Sequence, residues 1–115
     1  MKLAVLAACA ALFFAPVLSM ASTQAYAQSF NCAKASTPDE QVICQNSYLA
    51  GLDEQMASLY SELRAYMSAP RKDALRNTQR TWLNSRKRCG YSEDCITGHY
   101  TDRIAALQSS LAQYR

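Results

Sequence analysis

Two hydrophobic patterns divide the chain. Residues 3–18 form an apolar run rich in Ala, Leu and Phe, interrupted by Pro16. From residue 37 onward, apolar side chains recur at helical intervals instead. Thr37, Pro38 and Glu40 make a helix start, with Thr37 as cap, Pro38 at the first helical position and Glu40 closing a capping box. Ile43, Leu49, Leu52, Met56, Leu59, Leu63 and Tyr66 follow. Their spacing alternates three and four from Leu49 on, which predicts a first helix over residues 38–67. Gly51 within it suggests a close helix contact.

Ser68, Ala69 and Pro70 break the pattern, and a second helix is predicted over residues 71–88. Its inner positions are Leu75, Gln79, Trp82, Leu83 and the stem of Arg86. Gly90 suits a helix C-cap. Ser92 then caps a third helix, with Glu93 and Asp94 in its first turn, where the helix dipole favours them. Ile96, Tyr100, Ile104, Leu107, Leu111 and Tyr114 line its inner face. The expected architecture is all-α: a small, disulfide-stapled, antiparallel three-helix bundle. Trp82 is expected at its centre, level with Met56 and near residues 99–100.

The first apolar run has a different meaning. Lys2 supplies a positive start, and residues 19–27 are small and polar, ending Ala25-Tyr26-Ala27. That is the pattern of a signal peptide cut after Ala27, with a cut after Ala21 as the runner-up. Residues 28–115 are then the mature domain. Leu6-Ala7-Ala8-Cys9 has the look of a lipidation site, but too few apolar residues precede Cys9 and a long apolar segment follows it. Export to the periplasm or beyond is the expectation, with no membrane anchor left after processing.

Composition sharpens this picture at one point. Five Cys in 115 residues is many, and removal of Cys9 leaves Cys32, Cys44, Cys89 and Cys95. An even count in a small exported domain implies two disulfides. Short turns make the helices antiparallel neighbours, so Cys89 lies near the level of Leu49. Cys44 is five residues further along, about 7.5 Å at the rise of an α-helix. That separation favours local pairing, Cys32 with Cys44 and Cys89 with Cys95.

These features resemble a known family. The residues concerned are Glu40 and Ile43 before Cys44 in a C-x11-C spacing, then Leu49-x-x-Leu52-Asp53. Gln79-x-x-Trp82-Leu83-x-x-Arg86-x-x-Cys89, a C-x5-C spacing and Tyr100-x-x-Arg103-Ile104-x-x-Leu107 complete the pattern. Over residues 30–111 the chain is similar to the LprI-type lysozyme inhibitor N-terminal domain family of exported bacterial proteins. The resemblance implies a small helical envelope domain and, through the family name, non-covalent lysozyme inhibition.

The candidate chemistry is that of a binding protein. No phosphate loop, nucleophile–base pair or His-paired reactive Cys can be assembled, so the expectation is no enzyme and no cofactor. Cys89, Cys95 and the single His, His99, could gather around zinc, but exported Cys normally oxidise, and no metal is expected. Asp53, Gln79, Arg86 and Arg103 suit a polar lattice between helices, with Asp53 or Glu54 paired to an Arg.

Two surfaces remain. Tyr91, Ser92, Glu93 and Asp94 occupy a turn that the Cys89–Cys95 bridge would hold in shape, so it loses little entropy on entering a lysozyme's sugar-binding cleft. Lys72, Arg76 and Arg80 form a basic stripe, followed by Arg86, Lys87 and Arg88. The alternative function is a non-inhibitory envelope module that contacts cell-wall polymer or another protein through this face. Of the 12 Lys and Arg, processing removes only Lys2, leaving a net charge of +2 against 9 acidic residues, too weak for nucleic acid to be a partner.

The processing reading is checked by the intact mass of the exported protein. The expected N-terminus is Gln28, and a lipid adduct on Cys9 would overturn both the cut and the unanchored state.

Overall fold

A computed structural model of the chain describes residues 29–115. The predicted processing site and Cys9 lie outside these residues. A 3-10 turn at Cys32–Lys34 leads into four α-helices: α1 (Pro38–Gln45), α2 (Ser47–Ala65), α3 (Ala69–Lys87) and α4 (Glu93–Ala112). No strand occurs among the described residues, and none of their helices is long and apolar enough to cross a membrane.

The single first helix is thus two, and the three-helix bundle becomes a four-helix arrangement. The break is at Asn46, whose backbone is extended at φ −123° and ψ 109°. Its side-chain oxygen accepts the N–H groups of Tyr48 and Leu49 at 3.0 and 3.2 Å. Asn offers the backbone a local partner that competes with helix continuation, and at an N-cap it satisfies donors that otherwise have none. The short α1 can therefore turn across the end of the bundle. Ser68 and Pro70 likewise open a helix: Ser68 is the N-cap of α3 and Pro70 sits in its first turn.

The long helices run up, down and up. Asp53 meets Tyr100 near one end, and Tyr66 stacks on Tyr114 at the other with ring centroids 5.7 Å apart, so α2 and α4 run parallel. Gln79 meets Arg103 and Arg71 meets Tyr114, so α3 runs antiparallel to α4. The core is built mainly by α2 and α4: Leu49, Met56 and Leu63 face Ile96, Tyr100, Ile104, Leu107 and Leu111, with Ile43 added from α1. Leu75 is the one buried apolar side chain of α3. Gly51, expected at a close helix contact, is exposed and has nothing packed against it.

Tyr100, fully buried, occupies the centre expected for Trp82. Trp82 is at the expected level but only half-buried. Its ring lies edge-on to Tyr100, with centroids 5.2 Å apart, and its indole N–H donates to the His99 carbonyl at 2.9 Å. An indole carries a donor that needs a partner, and the outer position supplies one.

The disulfides join Cys32 to Cys44 and Cys89 to Cys95, with Cα separations of 5.7 and 5.5 Å. The first ties the N-terminal segment to α1, and the second closes the turn between α3 and α4. Gly90 takes φ +58° there, the left-handed conformation that glycine adopts without a Cβ clash.

Asn46→Ala removes the acceptor that starts α2. It is expected to cost about 0.5–2 kcal/mol in chemical denaturation, with both disulfides intact.

Candidate functional site

A charge lies buried beneath the surface of the molecule and is bonded from several elements at once. Arg86 comes from α3, the most polar of the helices, yet only 4% of it is exposed. Its Nε donates to Asp39 Oδ2 of α1 at 2.8 Å, and its Nη1 donates to the Tyr100 hydroxyl of α4 at 2.9 Å. That hydroxyl in turn donates to Asp53 Oδ1 of α2 at 2.7 Å. The Ser29 N–H and hydroxyl complete the Asp53 carboxylate at 3.0 and 2.6 Å. The guanidinium also lies 5.4–5.7 Å from the ring centres of Phe30, Trp82 and Tyr100, within range of cation–π attraction. All four helices and the N-terminal segment converge on this group.

The electrostatics follow from burial. Desolvation alone would raise the Asp39 pKa, but hydrogen bonds from Thr37 and Arg86, with the Arg86 charge, outweigh it and hold the carboxyl below its ordinary range. Burial pushes the Tyr100 hydroxyl far up, so it stays protonated and can donate to Asp53. A second polar link joins Arg103 Nε to Gln79 Oε1 at 2.8 Å. Gln79 also turns its amide nitrogen toward the Met56 sulfur at 3.0 Å. Asp53, Gln79, Arg86 and Arg103 therefore do form interhelical contacts. Asp53 is the carboxylate nearer Arg86 on α2, at 3.8 Å, while Asp39 makes the direct bond.

Beside this network α2 and α3 part to leave a groove of about 480 Å³. Phe30, Met56, Tyr60 and Leu83 are among its apolar lining residues, and Arg86 and Asp39 also line it. Sequence periodicity gives no sign of it, because Tyr60 and Leu83 fit a helix-facing pattern equally well.

The other predicted residues fall in two places. Tyr91 is 69% exposed on the disulfide-closed turn, and Ser92, Glu93 and Asp94 are exposed beside it. The Ser92 hydroxyl oxygen accepts the Cys95 N–H at 3.3 Å, as an N-cap does. Tyr48, 62% exposed at the start of α2, belongs to the same end of the bundle, because the Asp53–Tyr100 pairing sets residue 48 level with residue 95. It is not among the expected surface residues, which are confined to the 91–94 turn and the basic stripe.

The basic stripe is less free than its spacing suggests. Arg76 is bonded to Asp73 and Lys72 is half-buried, while Arg80 is exposed. Arg86 leaves the following basic run altogether by turning inward. Cys89 Sγ, Cys95 Sγ and His99 Nδ1 do meet, all within 4.8 Å of one another, but the two sulfurs are bonded to each other.

The described residues thus form a helical domain with a buried polar anchor, two local disulfides and an exposed aromatic residue on a disulfide-closed turn. The sequence profile described as "Lysozyme inhibitor LprI" matches residues 32–113, and the chain belongs to that family. It is 31% identical over 106 residues to the proteins named Lipoprotein LprI of Mycobacterium bovis and Mycobacterium tuberculosis. The alignment covers 90% of this chain and 50% of theirs, so the chain spans about half the length of those relatives. No solved structure matches it.

Asp39 gives the network a pH signature. Its folded-state pKa lies below the unfolded value of about 3.9, so its contribution is complete above pH ~4 and is lost as pH falls through the lower, folded-state value. Asp39→Asn leaves Arg86 without its direct counter-charge and is expected to cost about 3–5 kcal/mol at neutral pH. Urea denaturation across pH should show the gap between wild type and variant narrowing below pH ~4.

Proposed function

We propose that this protein is an exported inhibitor that binds a lysozyme non-covalently, with the turn at residues 89–95 as its contact. The observation that carries the reading is the combination of family membership over residues 32–113 with an exposed Tyr91 on a covalently closed turn. A turn held in shape before binding spends little further entropy on ordering, so its side chains deliver more of their contact energy. Tyr91 is the anchor, since exposed aromatic residues dominate interface energetics once buried. Glu93 and Asp94 flank it and can pair with basic residues at a cleft rim. Tyr48 is a second exposed aromatic residue at the same end.

Export belongs to this reading. The mycobacterial relatives are named as lipoproteins, and residues 1–27 here have the pattern of a cleaved signal peptide. The role is one of binding, with no catalytic step, metal or cofactor. The alternative, a cell-wall-binding module acting through Lys72, Arg76 and Arg80, has less support because Asp73 already neutralises Arg76.

The test pairs thermal unfolding with inhibition constants for wild type and Tyr91→Ala against lysozymes of several classes. The variant is expected to unfold at nearly the same temperature. Inhibition should weaken by about 1–3 kcal/mol, roughly 5- to 150-fold in affinity. Unchanged inhibition on joint replacement of Tyr91, Ser92, Glu93 and Asp94 would discard the turn and move attention to the basic face. No inhibition of any lysozyme by the wild type would discard the function.

A further inference from the structure

The two disulfides sit in different settings, although both close short local loops. Cys95 is the third residue of α4, close to the partial positive charge at that helix's N-terminus. His99 lies one turn further on. Its Nδ1 is 2.8 Å from the Cys95 carbonyl oxygen, a separation that requires a hydrogen on that nitrogen, which therefore donates. The same nitrogen is 3.4 Å from Cys89 Sγ and 3.8 Å from Cys95 Sγ. Its one hydrogen is aimed at the Cys95 carbonyl and reaches Cys89 Sγ only by being shared with that bond or by leaving it. Its contact with a neutral disulfide sulfur is weak, but with a thiolate it becomes a charge-assisted hydrogen bond.

Cys44 has neither of these neighbours in its own helix. It lies in the last turn of α1, where the helix end is partially negative and disfavours a thiolate. No imidazole can help it, because His99 is the only His in the chain. Glu93 and Asp94 oppose a thiolate at Cys95, but both are exposed, and solvent screens them.

We propose that Cys89–Cys95 is a thiol–disulfide exchange site for dithiols of the exported compartment, and that Cys32–Cys44 is a purely structural bridge. A thiolate of the dithiol attacks one sulfur of Cys89–Cys95. That sulfur–sulfur bond breaks, a mixed disulfide forms, and the other cysteine departs as a thiolate. A departing Cys89 thiolate, a stronger acceptor than the Cys95 carbonyl, draws the His99 N–H toward itself, and a departing Cys95 lies at the helix N-terminus. The second thiol of the dithiol gives up its proton and attacks the mixed disulfide, releasing the remaining cysteine. The dithiol is oxidised to a disulfide, and its two electrons and two protons end on Cys89 and Cys95. Cys89 and Cys95 are half-buried beside the exposed residues 91–94, and Cys32 and Cys44 are half-buried as well, so the difference between the bridges rests on His99 and the helix end.

Exchange has a consequence that does rest on the proposed lysozyme contact. The reduced turn loses the closure that holds Tyr91 in place, so inhibition falls when the bridge opens.

The experiment equilibrates the folded protein with graded ratios of reduced and oxidised dithiothreitol, alkylates it, and reads each cysteine by peptide mass spectrometry. Cys89–Cys95 is expected to open at a reductant ratio at least about tenfold lower than Cys32–Cys44. His99→Gln is expected to narrow that gap while leaving Cys32–Cys44 where it was. Simultaneous opening, or earlier opening of Cys32–Cys44, overturns the proposal from the wild type alone. An unchanged gap in His99→Gln overturns the role of His99. The Cys89→Ser/Cys95→Ser double variant, assayed without reductant, separates the two layers. If Cys89–Cys95 exchanges first but the double variant inhibits lysozyme as well as wild type, the exchange site stands and the turn is not the contact. Loss of inhibition in the double variant with a preserved helical circular dichroism spectrum supports the closed turn as the contact, while the exchange site is decided by the titration of the wild type.

Discussion

Arg86 gives up nearly all the water that stabilises a guanidinium, and much of the architecture supplies what replaces it. Removing a charge from water is tolerated only when opposite charge and hydrogen bonds surround it closely. Here Asp39, Tyr100 and Asp53 come from three different helices, and Ser29 reaches in from the N-terminal segment to complete Asp53. Each partner must hold its position for the others to remain satisfied. No buried side-chain polar atom among the described residues is left without a partner. A buried pair of this sort adds little to stability compared with apolar packing, but it penalises any arrangement in which one helix slips or detaches.

That requirement explains the unequal treatment of the helices. α2 and α4 bury apolar faces against each other, whereas α3 contributes chiefly Leu75 and Arg86. α3 is held by specific polar attachments, at Arg86, at Gln79 with Arg103 and at Arg71 with Tyr114, in place of a continuous apolar seam. The groove beside it is the geometric result. The N-terminal segment is drawn in by the same network, with Phe30 over the guanidinium and Cys32 bonded to α1.

What the sequence made legible was local. The apolar spacing of residues 49–66 and 96–114, the left-handed Gly90, the Ser92 cap and the two short disulfide loops each follow from interactions between residues close in the chain. The break at Asn46 was also local, and its sign was present: Ile43 and Leu49 are six apart, out of phase with the stripe that follows. Asp39 and Arg86 are 47 residues apart, and nothing in periodicity separates a buried salt bridge from a helix-start acid and a member of a basic run. For the same reason the largest aromatic was expected at the centre, although its indole N–H directed it to the edge and left Tyr100 inside. The exposure of Tyr91 is structural, whereas the partner it would meet is written in no single residue of the chain.

The short span of the disulfides governs how the molecule would respond to pulling. Their sequence separations are 12 and 6 residues, and neither bridges the long helices to one another. Tension applied at the chain ends would meet no covalent stop between α2 and α3 or between α2 and α4. Nearly the whole contour from α2 through α4 would pay out, with only the two small loops withheld. Resistance to force therefore resides in the apolar seam of α2 with α4 and in the shared grip on one guanidinium, and the domain behaves mechanically as a non-covalent clasp.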